Sequence, residues 1–248
     1  MLKRSLFFIL SSICLAMSLP SCIDGDNEIS AVGYAIINNN PEKGGMTMTL
    51  IDGEVAIPGT EAQVSVGDCV YVYYTINRDN QPHKDYYTAT NVQFLAKTSQ
   101  RYSTEVKGED LENDAFYDGV IDGLGTVSYP MFKGVVFFNV IYTIPSKQTM
   151  NFDMFYNPGE IDEKGALTLY LKGKVSGDES PSKERTEDLL AFNLNTLIRT
   201  YGKPYTGVDG ESDTMQLDIY IKYCDEVDED GKCVYTALNS TPQKIYYY

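Results

Sequence analysis

Few residues in this chain have the types and spacing that chemistry requires. One histidine, His83, sits in "RDNQPHKD", so a His-centred nucleophilic triad or a multi-histidine zinc site lacks its material. Asp118 and Asp122 in "FYDGVIDGLG" could serve a carboxylate-based hydrolase only if held at a defined separation. Beside glycines they read first as turn residues. "EVDEDGKCVYTA" begins like a calcium loop at Glu226, Asp228, Asp230 and Gly231, but Ala237 stands at the twelfth position, where a bidentate glutamate is needed. A hairpin turn is the better reading. The sequence therefore predicts no catalytic residue, no cofactor-binding residue and no metal ligand.

Cysteine offers two further chemistries. Cys224 and Cys233 flank "DEVDEDGK". If the flanking strands pair, the thiols could face each other across a hairpin, and an oxidising compartment would permit a disulfide. Such a loop is worth about 2–3 kcal/mol in the chain-entropy model; otherwise the two remain thiols. Cys69 begins an apparent strand and is expected in the interior.

The second chemistry lies at the N-terminus. Lys3 and Arg4 precede an apolar run from Leu6 to Met17, which is short of the roughly 20 residues of a membrane span but matches a signal-peptide core. Leu19-Pro20-Ser21-Cys22 resembles the bacterial lipobox, which implies cleavage between Ser21 and Cys22 and acylation of the Cys22 thiol and amino group. Each buried methylene adds about 0.8 kcal/mol, so several chains anchor durably where one does not. An ordinary secreted protein is the alternative. Behind Cys22 run Asp24, Asp26 and Glu28, with Ile23 directly after the cysteine. This acidic tether resembles the surface-export signal of outer-membrane lipoproteins. The expectation is an outer-membrane, lipid-anchored protein facing outward, with the periplasmic face as the alternative.

Charge narrows the partners. Without residues 1–21, which carry Lys3 and Arg4 alone, 18 basic residues face 35 acidic ones, a net of −17. That balance repels phosphate backbones and argues against nucleic acid. Membrane attachment then rests on the lipid.

Strands must position whatever function exists. In "CVYVYYTI", Val70, Val72, Tyr74 and Ile76 share a face, and in "GALTLYLKGKV", Leu167, Leu169 and Leu171 oppose Thr168, Tyr170 and Lys172. "MQLDIYIKYC" repeats the pattern with Leu217, Ile219 and Ile221, while "KGVVFFNVIYTI" is apolar on both faces, as a covered central strand should be. Within "TEDLLAFNLNTLIRTYG" a strand is expected to about Leu194, then a helical turn to Tyr201 stopped by Gly202. "SGDESPSKERTED" reads as a long surface loop. Polarity peaks at "KGEDLEND", which sets the expected organisation: 1–21 signal peptide, 22–29 acidic tether, 30–108 first domain and 109–248 second domain.

The order of the lipobox, acidic tether, "LIDG", "VGDCVYVYYTI" and "VQFLAK", then "FFNVIYTI", "MNFDMFYNP", "ALTLYLKG" and "LLAFNLNTLI", resembles the NigD-like lipoproteins. The resemblance implies an all-β chain, a small OB-type barrel followed by a β-sandwich. It also implies a bacteriocin-immunity-like role, and it transfers no catalytic or ligand-binding residue. Three functions follow as expectations. The first is a non-enzymatic interaction protein with an unknown protein partner. The second is a glycan-binding accessory lipoprotein using Tyr71, Tyr73, Tyr86 and Tyr87 as a stacking platform. The third and remotest is the carboxylate hydrolase. "SDTM" additionally resembles a short O-glycosylation acceptor around Thr214.

Overall fold

A computed structural model of the chain describes residues 27–57, 63–107, 111–113, 117–178, 180–205 and 214–247. The chain is all-β and divides into two compact units, Met1–Thr98 and Ser99–Tyr248.

In the first unit, β1 (Glu28–Asn40), β2 (Gly45–Leu50), β3 (Gly53–Ala56), β4 (Cys69–Asn77), β5 (Tyr87–Thr88) and β6 (Asn91–Thr98) form a curled, half-barrel sheet ordered β5-β3-β2-β1-β4-β6. The β1–β2 connection follows from its sequence. Pro41 presets a turn that the Asn40 side chain caps, and Gly44 closes it at φ +83°. Alternation then sends Ala35, Ile37, Met48, Val70 and Val72 inward, all at 0% exposure. Ala89 N donates to Ala56 O and Thr90 N to Thr75 O, tying the segment after β5 to both β3 and β4. Cys69 is fully buried beside this core.

The second unit contains β7 (Gln100–Glu105), β8 (Gly123–Val127), β9 (Val135–Pro145), β10 (Gln148–Tyr156), β11 (Leu167–Gly177) and β12 (Lys183–Asn193). The helix α1 (Asn195–Tyr201) follows, then β13 (Lys203–Pro204), β14 (Met215–Val227), β15 (Cys233–Ala237) and β16 (Gln243–Tyr247). Strands run in the order β13-β14-β11-β10-β7-β12-β9-β8, with β15 and β16 also on β14. The core collects the inward faces of β9, β10, β11, β12 and β14 under α1. Phe138 meets Phe192 edge-on at 5.6 Å, and Tyr142 meets Phe152 at 5.5 Å. Burial of each such side chain is worth about 1.5–3 kcal/mol. Gly202 stops α1 and donates its N–H to Ile198 O, as expected.

The corner of this sandwich is β7. Its first half, Gln100–Tyr102, pairs in parallel with Ala191–Asn193 of β12, and its second half, Ser103–Glu105, pairs in parallel with Met154–Tyr156 of β10. One short strand thus passes from one sheet to the other, a known way of turning a sandwich corner.

Three sequence expectations need correction. The units divide after Thr98 and not after residue 108, because β7, just before the polar stretch, belongs to the second unit's sheets. The expected tether of 22–29 overlaps the fold, since β1 already begins at Glu28, which pairs with Asn77 of β4, while 22–26 lie outside the described residues. The expected loop over 176–188 is mostly strand: Lys183 to Asp188 continue β12 against Pro145 to Val140 of β9. Its residues are polar because this end of the ladder projects past the core.

Candidate functional site

Two features of the second unit place polar chemistry on a β scaffold. The first surrounds Lys172. Alternation along β11 aims Leu167, Leu169 and Leu171 into the core and sets Tyr170 and Lys172 on the opposite face, yet Lys172 is 1% exposed. Its ammonium nitrogen lies 5.6, 5.7 and 5.5 Å from the ring centres of Tyr117, Phe155 and Tyr235. Those aromatic faces stabilise a cation removed from water. Tyr117 arrives because its segment crosses β11, where Gly119 N donates to Gly173 O at 2.9 Å. A Cβ at Gly119 would come within 2.8 Å of that carbonyl oxygen, so only glycine permits the crossing. The Tyr117 hydroxyl also donates to Asp153, and the Tyr170 hydroxyl donates to Glu160. Lys222, paired with Glu112, sits over the Tyr170 ring. This network fastens the crossing segment to the sheet. Sequence reading set Lys172 on the face opposite the leucines and did not single it out.

The second feature is a surface cleft of about 280 Å³. Its polar wall is the outward row of β14, Gln216 and Asp218, joined by a 2.8 Å hydrogen bond from the Gln216 amide to the Asp218 carboxylate. Lys203 of β13 lies opposite Gln216, and Lys244 of β16 lies opposite Asp218. The Lys203 ammonium donates to Lys164 O at 2.7 Å, passing over Gly165, where a Cβ would lie 2.6 Å from it. Tyr201, at the end of α1, and Tyr205 complete the lining. Tyr205 is braced edge-on by Tyr246 at 5.3 Å. The Lys244 ammonium has no hydrogen-bond or ion-pair partner among the described residues.

The residues singled out from sequence are dispersed. Ser21, Cys22, Asp24 and Asp26 lie outside the described residues. Cys224 and Cys233 form a disulfide with Cα atoms 5.3 Å apart. The turn between them is organised by Asp228, whose carboxylate accepts from the Asp230 and Lys232 N–H groups, with Gly231 at φ +76°. Among the described residues, no group of His, Cys, Asp and Glu side chains is placed to hold a metal ion. The Asp122 carboxylate accepts from Thr143 of β9, while Asp118 accepts from Val175 N of β11, so the two serve separate anchoring bonds. Thr214 is 3% exposed, which closes it to a modifying enzyme in the folded chain.

The tyrosines do not form one platform. Tyr71 packs against Tyr34 of β1 at 5.0 Å. The Tyr73 hydroxyl is lowered in pKa by hydrogen bonds to Ser30 and Thr75. Tyr86 stacks on His83 at 4.4 Å in the loop before β5, with the Lys43 ammonium 5.9 Å from its ring centre. Tyr87 stands 47% exposed on β5. Among the described residues, no helix is long and apolar enough to cross a membrane.

Sheet order and the strand-switching corner define an all-β chain with a barrel-like unit and a sandwich-like unit. Two of the three solved structures described next share this fold, those with TM-scores above 0.5. An uncharacterised protein from Parabacteroides merdae aligns over 87% of this chain and 97% of its own, with a TM-score of 0.63 at 12% identity. A protein described as toxin related from Parabacteroides distasonis aligns over 88% and 93%, with a TM-score of 0.52 at 15% identity. A NigD-like immunity protein from Bacteroides caccae aligns over 84% and 92%, with a TM-score of 0.46 at 15% identity. No protein-family model matches the sequence, and no curated protein does.

Proposed function

We propose that this chain is a lipoprotein held at the outer membrane through Cys22, and that it acts as a non-enzymatic interaction protein with a toxin-class protein as partner, in the manner of an immunity protein. The observation that carries the reading is the likeness of fold along nearly the whole chain to structures that include a toxin-related protein. The lipobox and the resemblance of the strand motifs to NigD-like lipoproteins agree with it. Asp118 and Asp122, the pair considered for a hydrolase, are engaged in anchoring bonds to separate strands, which supports a binding role over an enzymatic one.

Three measurements test it. Metabolic labelling with a clickable palmitate should mark the wild-type chain and not Cys22→Ala. Proteinase digestion of intact cells should remove the wild type and spare a variant carrying Asp24→Ala, Asp26→Ala and Glu28→Ala. Cells producing the chain should then survive antagonism by toxin-secreting competitors that kills cells without it. Label on Cys22→Ala would overturn the anchor, and equal killing would overturn the immunity-like role.

A further inference from the structure

The lining of the cleft in the second unit holds two lysines against one aspartate, independently of how the chain is anchored. We infer that it binds a single carboxylate-bearing sugar residue, of the uronic acid class. Its volume of about 280 Å³ falls at the lower edge of small-molecule sites, roughly 300–1,000 Å³, so it suits one ring and not an extended chain. Two lysines, Lys203 and Lys244, border it in a chain of formal net charge −15. Lys203 is fixed by its bond to Lys164 O, which occupies one of its three donors. Lys244 lies opposite Asp218 in the ladder and forms no ion pair with it. Two lysines in one lining, one fixed and one open, favour a carboxylate ligand, because charge-assisted hydrogen bonds are the stronger ones.

The remaining lining fits the rest of such a ring. Gln216 and Asp218 are locked together at 2.8 Å and offer amide and carboxylate oxygens as acceptors to ring hydroxyls. Tyr205 is half-buried and braced by Tyr246, which presents a rigid aromatic body for the C–H face of a sugar. Gly165 is required, since any side chain there would displace the Lys203 ammonium.

The test is a calorimetric titration of the full chain with galacturonate, galactose and acetate, repeated with Lys244→Gln, Tyr205→Ala and, as a control in the first unit, Tyr71→Ala. The expected result is saturable galacturonate binding at least about tenfold tighter than galactose or acetate, weakened about tenfold by Lys244→Gln, since a hydrogen bond to a charged group carries that much. Tyr205→Ala should weaken it as well, and Tyr71→Ala should leave it unchanged. Lys244 is exposed, so its replacement leaves the fold intact, and Lys203→Gln provides a second variant of the same kind. Absence of saturable galacturonate binding overturns the inference. So does acetate binding as tightly as galacturonate, which would reduce the cleft to a carboxylate spot, or sensitivity to Tyr71→Ala without sensitivity to Lys244→Gln.

Discussion

Cys224 and Cys233 are bonded to each other but are not opposite each other in the β14–β15 ladder. Cys224 pairs with Tyr235, and Cys233 pairs with Val227, with the register shifting between Cys224 and Glu226. The irregularity lets the two sulfurs meet diagonally. It also leaves Tyr235 beside the buried ammonium of Lys172.

Reduction, or Cys224→Ser with Cys233→Ser, should therefore destabilise the second unit by about 2–3 kcal/mol for a sequence separation of 9. Thermal melts with and without a strong reductant measure this. A melting temperature indifferent to reductant would show that the bond does not brace the hairpin.

Alkaline pH should weaken the fold through particular tyrosines. Burial, with the neighbouring Glu105 charge, pushes the Tyr156 hydroxyl up to about 12. Burial and a hydrogen bond to Asp188 raise Tyr142 as well. A hydroxyl whose folded pKa is raised lends stability below its unfolded value near 10 and loses it as pH climbs toward the folded value. The chain has 20 tyrosines and no tryptophan, so tyrosinate absorbance can be followed without indole beneath it. A late-titrating fraction that ionises together with unfolding is expected. Smooth titration of all tyrosines near 10 would contradict the assigned environments.

At the acid end, Glu54 of β3 carries the opposite sign. Burial would raise its carboxyl, but hydrogen bonds from Lys43, Thr47 and Asn40 outweigh that and hold it below the ordinary glutamate value. Its contribution is present above the unfolded pKa and fades as pH falls through the depressed folded one. Glu54→Gln should lower the first unit's stability at neutral pH and flatten its loss as pH falls below the ordinary glutamate value. Hydrogen exchange of β2 and β3 amides across that range reads the difference, and parallel profiles for the two chains would refute it.

Gly119→Ala should cost about 1–3 kcal/mol, the range for forcing extra volume into packed structure. The new Cβ would meet Gly173 O at 2.8 Å and the Met150 sulfur at 2.9 Å. By contrast, Gly125→Ala meets nothing nearer than 4.0 Å and should be close to neutral. Equal stability of the two variants in denaturant titrations would remove the case for a tight crossing over β11.

A chain beginning at Ser99 should fold, whereas one beginning at residue 109 should not, because only the first retains β7. Dispersed amide NMR resonances in both would show that the corner strand is dispensable.

Alternation made much of this architecture readable beforehand. The inward rows of β4, β11 and β14 and the doubly covered β9 follow from period two and from apolar runs. The strand-to-helix change at Leu194 was readable because Gly202 ends the helical spacing. The sequence concealed β7, since "QRYSTE" shows no apolar alternation and gains its partners only from strands about 50 and 90 residues later. Lys172 was hidden for a related reason: alternation puts it outside, and the segment that covers it departs from β-periodicity. The cleft draws its residues from α1, β13, β14, β16 and the turn at Gly165, so no local pattern announces it.

The divided loyalty of β7 also sets an order in time. It leaves the ribosome early, yet its first partner stretch, Met154–Tyr156, emerges some fifty residues later, and its second, Ala191–Asn193, later still. Until both arrive, its hydrogen-bonding groups are open to any passing strand. Closing such distant pairs is slow. The nascent second unit thus has a vulnerable interval that ends only when synthesis has passed Asn193, and the first unit, whose strand partners all lie within residues 28–98, has no need to wait for it.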